Sequence, residues 1–162
     1  MKLWAVNEWA SLQRMVVGIG TSMGGVPNLA DAYDPKSKEH IAAGTFPKEE
    51  DVSKELNALV RLLGNAGIEV LRPHNIDGLN QIFARDVGVV IEDKLLVTGM
   101  IEDRAQEWEG IAPLLEDTPA SHRLVAPQGV RVEGGDVMPM DGELWVGYSP
   151  KKDFGRLTTS RT

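Results

Sequence analysis

Apolar residues fall in short blocks along this chain, broken by glycines and prolines. One stretch has clear helical periodicity. Arg14-Met15-Val16-Val17-Gly18-Ile19 is rich in β-branched residues and predicts a strand. Residues 20–47 follow without periodicity and include Gly24, Gly25, Pro27, Pro35, Gly44 and Pro47. They predict a long loop, and connections of that length commonly serve as lids or mobile loops. Past Pro47, the acids Glu49, Glu50 and Asp51 suit a helix N-terminus, and Val52, Leu56, Leu59, Val60 and Leu63 recur at helical spacing. Gly67 predicts the stop, and Ile68-Glu69-Val70-Leu71 a strand that ends before Pro73.

A second run begins after Gly78. Val87-Gly88-Val89-Val90-Ile91 is apolar almost throughout, as in a strand covered on both faces. Glu92-Asp93-Lys94 predicts a turn and Leu95–Thr98 the returning strand. A helix is predicted over roughly 103–116, with Trp108, Ile111, Leu114 and Leu115 as its apolar stripe, and a strand over 122–125. From Val130-Arg131-Val132 the pattern starts again, through Gly134-Gly135 and Val137-Met138 to Leu144–Tyr148 after Asp141-Gly142. The expectation is a single α/β domain over 1–162. It would hold about two and a half copies of one strand-strand-helix-strand unit, without residue-by-residue identity between copies. An incomplete array of this kind leaves an open edge.

Composition narrows the function classes. Hydrophobic residues make up 42% and charged residues 25%, which is ordinary for a globular domain. No apolar run approaches the length of a membrane span, and Asn7 and Glu8 come too early for a signal peptide, so a cytoplasmic protein is expected. Seventeen Lys and Arg against 24 Asp and Glu give a net charge of −7, the wrong sign for a general nucleic-acid binder. The cysteine count is zero. That removes disulfides, thiolate metal sites and a cysteine nucleophile from this chain.

Most conspicuous motifs have plain structural readings. Gly18-Ile19-Gly20 follows a strand, yet no helical pattern starts there to bind a pyrophosphate. His40, His74 and His122 lack metal-ligand spacing, so no metal site is expected. Two segments stand apart. Gln81-Ile82-Phe83-Ala84-Arg85-Asp86 puts an Arg-Asp pair at the mouth of an apolar strand, where burial of charge is costly. Glu133-Gly134-Gly135-Asp136 sets two carboxylates around glycines that permit close backbone approach. Both lie near the entry to a strand pair. Units arranged about an axis would bring these carboxylates to one centre, and converging carboxylates suit a planar guanidinium.

Four motifs then occur in a familiar order. Asn7-Glu8-Trp9 with Leu12 and Arg14–Gly18 resembles the start of an amidinotransferase-like protein. Phe83-Ala84-Arg85-Asp86-Val87 resembles the Arg-Asp motif of the guanidine-modifying superfamily, and Glu133–Val137 its Glu-Gly-Gly-Asp motif. Gly147-Tyr148-Ser149, with Ser160-Arg161-Thr162 after an insertion, resembles its Gly-x-Ser-x-Arg-Thr segment. The superfamily includes amidinotransferases, arginine deiminases and dimethylarginine dimethylaminohydrolases.

The resemblance implies a pentein fold, five strand-strand-helix-strand units around a central site, of which this chain would be the N-terminal portion. It implies attack of a cysteine thiolate on a guanidine carbon, proton transfer by a histidine, and no metal or organic cofactor. Asp86 and Glu133 match the carboxylates that hold the guanidinium, and Asp136 lies in the same motif. Arg161 and, across a one-residue gap, Arg104 match substrate-binding arginines. The family's histidine and cysteine are expected further along than Thr162, so the chain alone is expected to be inactive. The implied partners are a small guanidino substrate such as arginine and, through the open edge after Tyr148, a complementing C-terminal chain or a second copy. Neither nucleic acid nor membrane is an expected partner. The rival expectations are a deiminase or hydrolase fragment and a non-catalytic guanidine-binding or assembly module.

Overall fold

A computed structural model describes residues 2–32 and 34–147. The chain groups into two compact units, residues 13–82 and the segments 1–12 and 83–162.

In the 13–82 unit, β1 (Arg14–Val16) is followed by α1 (Pro35–Ala42), α2 (Glu49–Asn65) and β2 (Glu69–Leu71). The two strands run parallel, Arg14 opposite Glu69, and a 2.7 Å bond from Arg14 Nε to the Glu69 carboxylate ties their first residues. Parallel neighbours need a long crossover, which the two helices supply. Glu49, Glu50 and Asp51 occupy the first turn of α2, as expected. At its end Gly67 takes φ +79°, and the Ile68 and Gly67 amides bond back to Leu63 and Gly64. That paired bonding closes the helix because glycine adopts the left-handed conformation without a Cβ clash. Val17, Ile19, Met23 and Ala32 are buried. Val52, Leu56, Val60 and Leu63 are half-buried along α2, whereas Leu59, placed in the apolar stripe from its spacing, is exposed.

The 20–47 segment corrects another expectation, since it contains α1. Asp34 caps this helix, its carboxylate accepting the Ser37 amide at 2.7 Å, and Pro35 opens the first turn. That bond holds the Asp34 carboxyl below its ordinary value. No residue of α1 is buried, so it has no apolar face for periodicity to report.

The second unit begins its main run with α3 (Ala84–Val87), a single helical turn. It leads into β3 (Gly88–Ile91), which pairs antiparallel with β4 (Lys94–Val97). The predicted 103–116 helix is broken: a 3₁₀ turn at Glu102–Arg104, then α4 (Glu107–Ile111), then a 3₁₀ turn at Ala112–Leu115. Pro113 has no amide to continue α-helical bonding there. β5 (Arg123–Val125) returns parallel to β4, giving sheet order β3-β4-β5 and one complete strand-strand-helix-strand unit. Residues 130–132 are not a strand; Val132 forms only an isolated bridge to Gly99. β6 (Val137–Met140) and β7 (Glu143–Val146) form a hairpin whose Asp141-Gly142 turn has both φ values positive, the tight connection this dipeptide favours.

The core of this unit is Val89, Val132 and Val137, flanked by Ile91, Leu96, Ala126 and Leu144. The N-terminal segment lies against it through bridges from Ala5 to Glu92 and from Asn7 to Met140. No helix among the described residues is long and apolar enough to cross a membrane.

Candidate functional site

Two segments of the second unit meet at the mouth of β3. One is α3, which carries Arg85 and Asp86. The other is the 3₁₀ turn Gly134–Asp136, entered through Glu133. Their approach is closer than side chains permit. A Cβ at Gly134 would overlap the Arg85 carbonyl oxygen, and one at Gly135 would stand 2.7 Å from Asp86 Oδ1. The paired glycines therefore bring the backbone of one motif onto the other.

Arg85 locks the arrangement. Its Nε donates to the Gly134 carbonyl at 3.0 Å and its Nη2 to the Val137 carbonyl at 2.8 Å. The same guanidinium meets both oxygens of Glu8, at 3.3 and 2.7 Å. Three separated pieces of chain are thus joined by one planar fork. The Thr98 hydroxyl adds bonds to the carbonyls of Asp86 and Val87, at 2.8 and 2.9 Å.

At the centre lies Arg104. Its Nη1 donates to Asp86 Oδ2 and to Glu133 Oε1, both at 3.1 Å. Its Nε and Nη2 meet the two oxygens of Glu107, three residues on, at 2.6 and 3.0 Å. The Phe83 ring covers the guanidinium, its centroid 5.9 Å from the central carbon. Burial alone would lower the Arg104 pKa; the bonds it donates to Glu107 and Asp86 and the charges of Glu107 and Glu133 outweigh it, so Arg104 stays charged. Glu107 shifts the other way. Its burial raises its pKa above the ordinary value, opposed by Arg104 and reinforced by the nearby Asp86 and Glu133 charges. Three carboxylates face one guanidinium, and the cluster keeps an excess of negative charge.

Of the residues expected at a site, the structure brings Asp86, Glu133 and Arg104 together. Asp136 stands apart: its carboxylate is exposed and takes no part in the ion pairs of this cluster. Arg161 lies outside the described residues, as does the edge after Tyr148. Two participants escaped the sequence reading. Glu107 lies within the helix predicted over 103–116, and its i, i+3 spacing from Arg104 is the one signal that marks it. Glu8 was noted only as part of the opening motif. The histidines are elsewhere, His122 beside Asp93 and His40 beside Thr45. Among the described residues no group of His, Cys, Asp and Glu is arranged to hold a metal ion.

The sequence matches no family model. It is 32% identical to an uncharacterized protein of Bacillus subtilis, YkgA, over 56% of this chain and 34% of that protein. Among solved structures it is similar to an amidinotransferase of the saxitoxin biosynthetic pathway from Microseira wollei, with a TM-score of 0.64, 19% identity, and coverage of 85% of this chain and 52% of that one. The inosamine-phosphate amidinotransferase of Streptomyces griseus gives 0.63 and 19%, over 88% and 54%. The dimethylarginine dimethylaminohydrolase of Pseudomonas aeruginosa, solved as a Cys-to-Ser variant complexed with citrulline, gives 0.62 and 16%, over 85% and 51%. The chain shares the fold of these enzymes and spans about half their length.

Proposed function

We propose that this chain is the N-terminal, guanidinium-holding part of an amidinotransferase-like enzyme that acts on arginine or a related guanidino compound. The observation that carries this is the convergence of Asp86 and Glu133 on one guanidinium nitrogen, Arg104 Nη1, at 3.1 Å each. A pair of carboxylates that accepts an internal guanidinium has the charge and spacing to orient an external one. The amidinotransferases of like fold support the reaction class. In this reading the five-unit ring is completed by sequence beyond the 162 residues, and the protein works in the cytoplasm.

The chemical roles divide accordingly. Asp86 and Glu133 bind and orient the substrate guanidinium, and Arg85 keeps the two carboxylates in register. The chain contains no cysteine, so the thiolate of this reaction class has to come from elsewhere. The chain alone is then expected to release no ammonia, urea or ornithine from arginine, and to gain activity when joined to a segment with the missing histidine and cysteine. A second reading, a dimethylarginine-type hydrolase or deiminase, is favoured by the likeness to the Pseudomonas enzyme. Both reactions need the same guanidinium-holding half.

Isothermal titration with arginine tests the shared core of the proposal. Arginine should bind the chain, and Asp86→Asn should abolish binding while leaving the circular dichroism spectrum unchanged. Equal binding by the variant, or none by either protein, would reject the half-site. Product analysis of the completed enzyme with glycine as acceptor separates transfer, which gives a new guanidino compound, from hydrolysis, which gives citrulline or urea.

A further inference from the structure

The two carboxylates proposed to hold a substrate are not free: Arg104 holds them. We propose that Arg104 is the resident ligand of the Asp86–Glu133 pair, an internal guanidinium that an incoming guanidino compound displaces. This rests on the half-site reading above and adds what sets its affinity.

The guanidinium has two unlike edges. Glu107 takes the Nε–Nη2 edge with two parallel bonds, at 2.6 and 3.0 Å. Asp86 and Glu133 share the single remaining nitrogen and contribute one oxygen each. Exposure follows the same division. The Glu107 side chain is 4% exposed, Asp86 21% and Glu133 38%. One edge is therefore sealed and doubly bonded, while the other is open and singly bonded on each side.

An entering guanidinium can take over the Asp86 and Glu133 oxygens while Arg104 keeps its bonds to Glu107. The excess of carboxylates lets a second cation enter without expelling the first. Phe83 offers a further surface: its ring lies against Arg104 yet is 55% exposed. A planar cation can stack there as it enters. What the ligand gains at the two carboxylates, Arg104 gives up, so the observed dissociation constant is the intrinsic one divided by the fraction of sites that Arg104 leaves open.

The test uses methylguanidinium, which has the fork but no carboxylate, and methylammonium, which has the charge but no fork. Each is titrated calorimetrically into the wild-type chain, Arg104→Gln, and Arg104→Gln combined with Asp86→Asn. Loss of the competitor is expected to tighten methylguanidinium binding by about tenfold or more. Methylammonium should gain far less, and the added Asp86→Asn should remove the gain. Unchanged or weaker methylguanidinium binding in Arg104→Gln overturns the proposal, as does an equal gain for both cations. Arginine is titrated alongside them, and a loss of binding in Arg104→Gln confined to arginine assigns Arg104 to the ligand's carboxylate and also overturns the proposal. If methylguanidinium binds neither wild type nor Arg104→Gln, the half-site reading itself fails. Should Arg104→Gln not fold, the wild-type protein gives a second readout. Methylguanidinium should speed water exchange of the Arg104 Nη1 protons while the Nε proton, held by Glu107, stays protected. Unaltered Nη1 exchange at saturation overturns the proposal.

Discussion

Asp86 lies over Gly135 so closely that a methyl group on that glycine would meet its Oδ1 at 2.7 Å. The position of the Asp86 carboxylate is therefore coupled to the absence of a side chain two residues after Glu133. The neighbouring Gly134 bears on backbone instead, since its own Cβ would overlap the Arg85 carbonyl.

Alanine at these two positions should have different effects. The obstacle at Gly135 is the end of a side chain, which can swing aside. Gly135→Ala should fold, lose less than about 1 kcal/mol of stability, and weaken arginine binding as Asp86 leaves its place. At Gly134 the obstacle is a carbonyl that cannot rotate away. Gly134→Ala should cost about 1–3 kcal/mol through overpacking. Urea unfolding of both variants alongside arginine titration separates the two; equal destabilisation would contradict this account.

Arg85 should resist conservative replacement. Its fork serves Glu8 and the carbonyls of Gly134 and Val137 at once. Lysine keeps the charge and loses the fork. Arg85→Lys is expected to lose about 1–2 kcal/mol, reduced from the full value of charged hydrogen bonds because the side chain is nearly half exposed. Glu8→Gln, which removes charge but spares the carbonyl bonds, should lose less than half as much. Denaturant melts of the two variants check the order.

The sequence is legible where local chemistry and tertiary packing agree. The acids, apolar spacing and Gly67 of α2 all predict one helix, and one helix forms. Asp141-Gly142 announces its hairpin for the same reason. The misses come from elements whose apolar spacing is absent or misleading. α1 has a cap but no apolar face, so among its neighbouring glycines and prolines no periodicity marks it as a helix. The apolar stripe around 103–116 suggested one helix, but Pro113 interrupts it. At the site, Asp86 and Glu133 were identifiable because carboxylates beside strand entries and paired glycines are locally odd. Their actual partner was not. Two acids imply a cation, but only the fold shows that Arg104, 18 residues from Asp86 and 29 from Glu133, supplies it.

Removing Arg104 should be more damaging than removing Arg104 and Glu107 together. The Arg104 side chain is 10% exposed and Glu107 4%, so Arg104→Met leaves a carboxylate buried without its cation. Breaking such a pair from one side costs about 3–5 kcal/mol. Replacing Glu107 by glutamine in the same protein removes the stranded charge. The double variant should recover part of the loss, giving a coupling energy of about 0.5–3 kcal/mol in a double-mutant cycle. Strict additivity of the two substitutions would show that the bonds between them contribute nothing.

Glu107 also sets a pH dependence with a definite sign. Burial raises its native pKa above the ordinary value near 4.5, despite the opposing Arg104 bonds. The native state then binds a proton more tightly than the unfolded chain, so the Glu107 contribution to stability is complete below about pH 4.5. It diminishes as pH rises through the raised native value and stays diminished at neutrality. Glu107→Gln cannot titrate and lacks this slope. The stability of wild type relative to Glu107→Gln should therefore increase as pH falls from 7 towards 4.5, then level off. Urea unfolding of both proteins across that range measures the difference directly. A relative stability that fell with acidification would mean that Arg104 governs the Glu107 pKa, and that the ion pair outweighs the burial that encloses it.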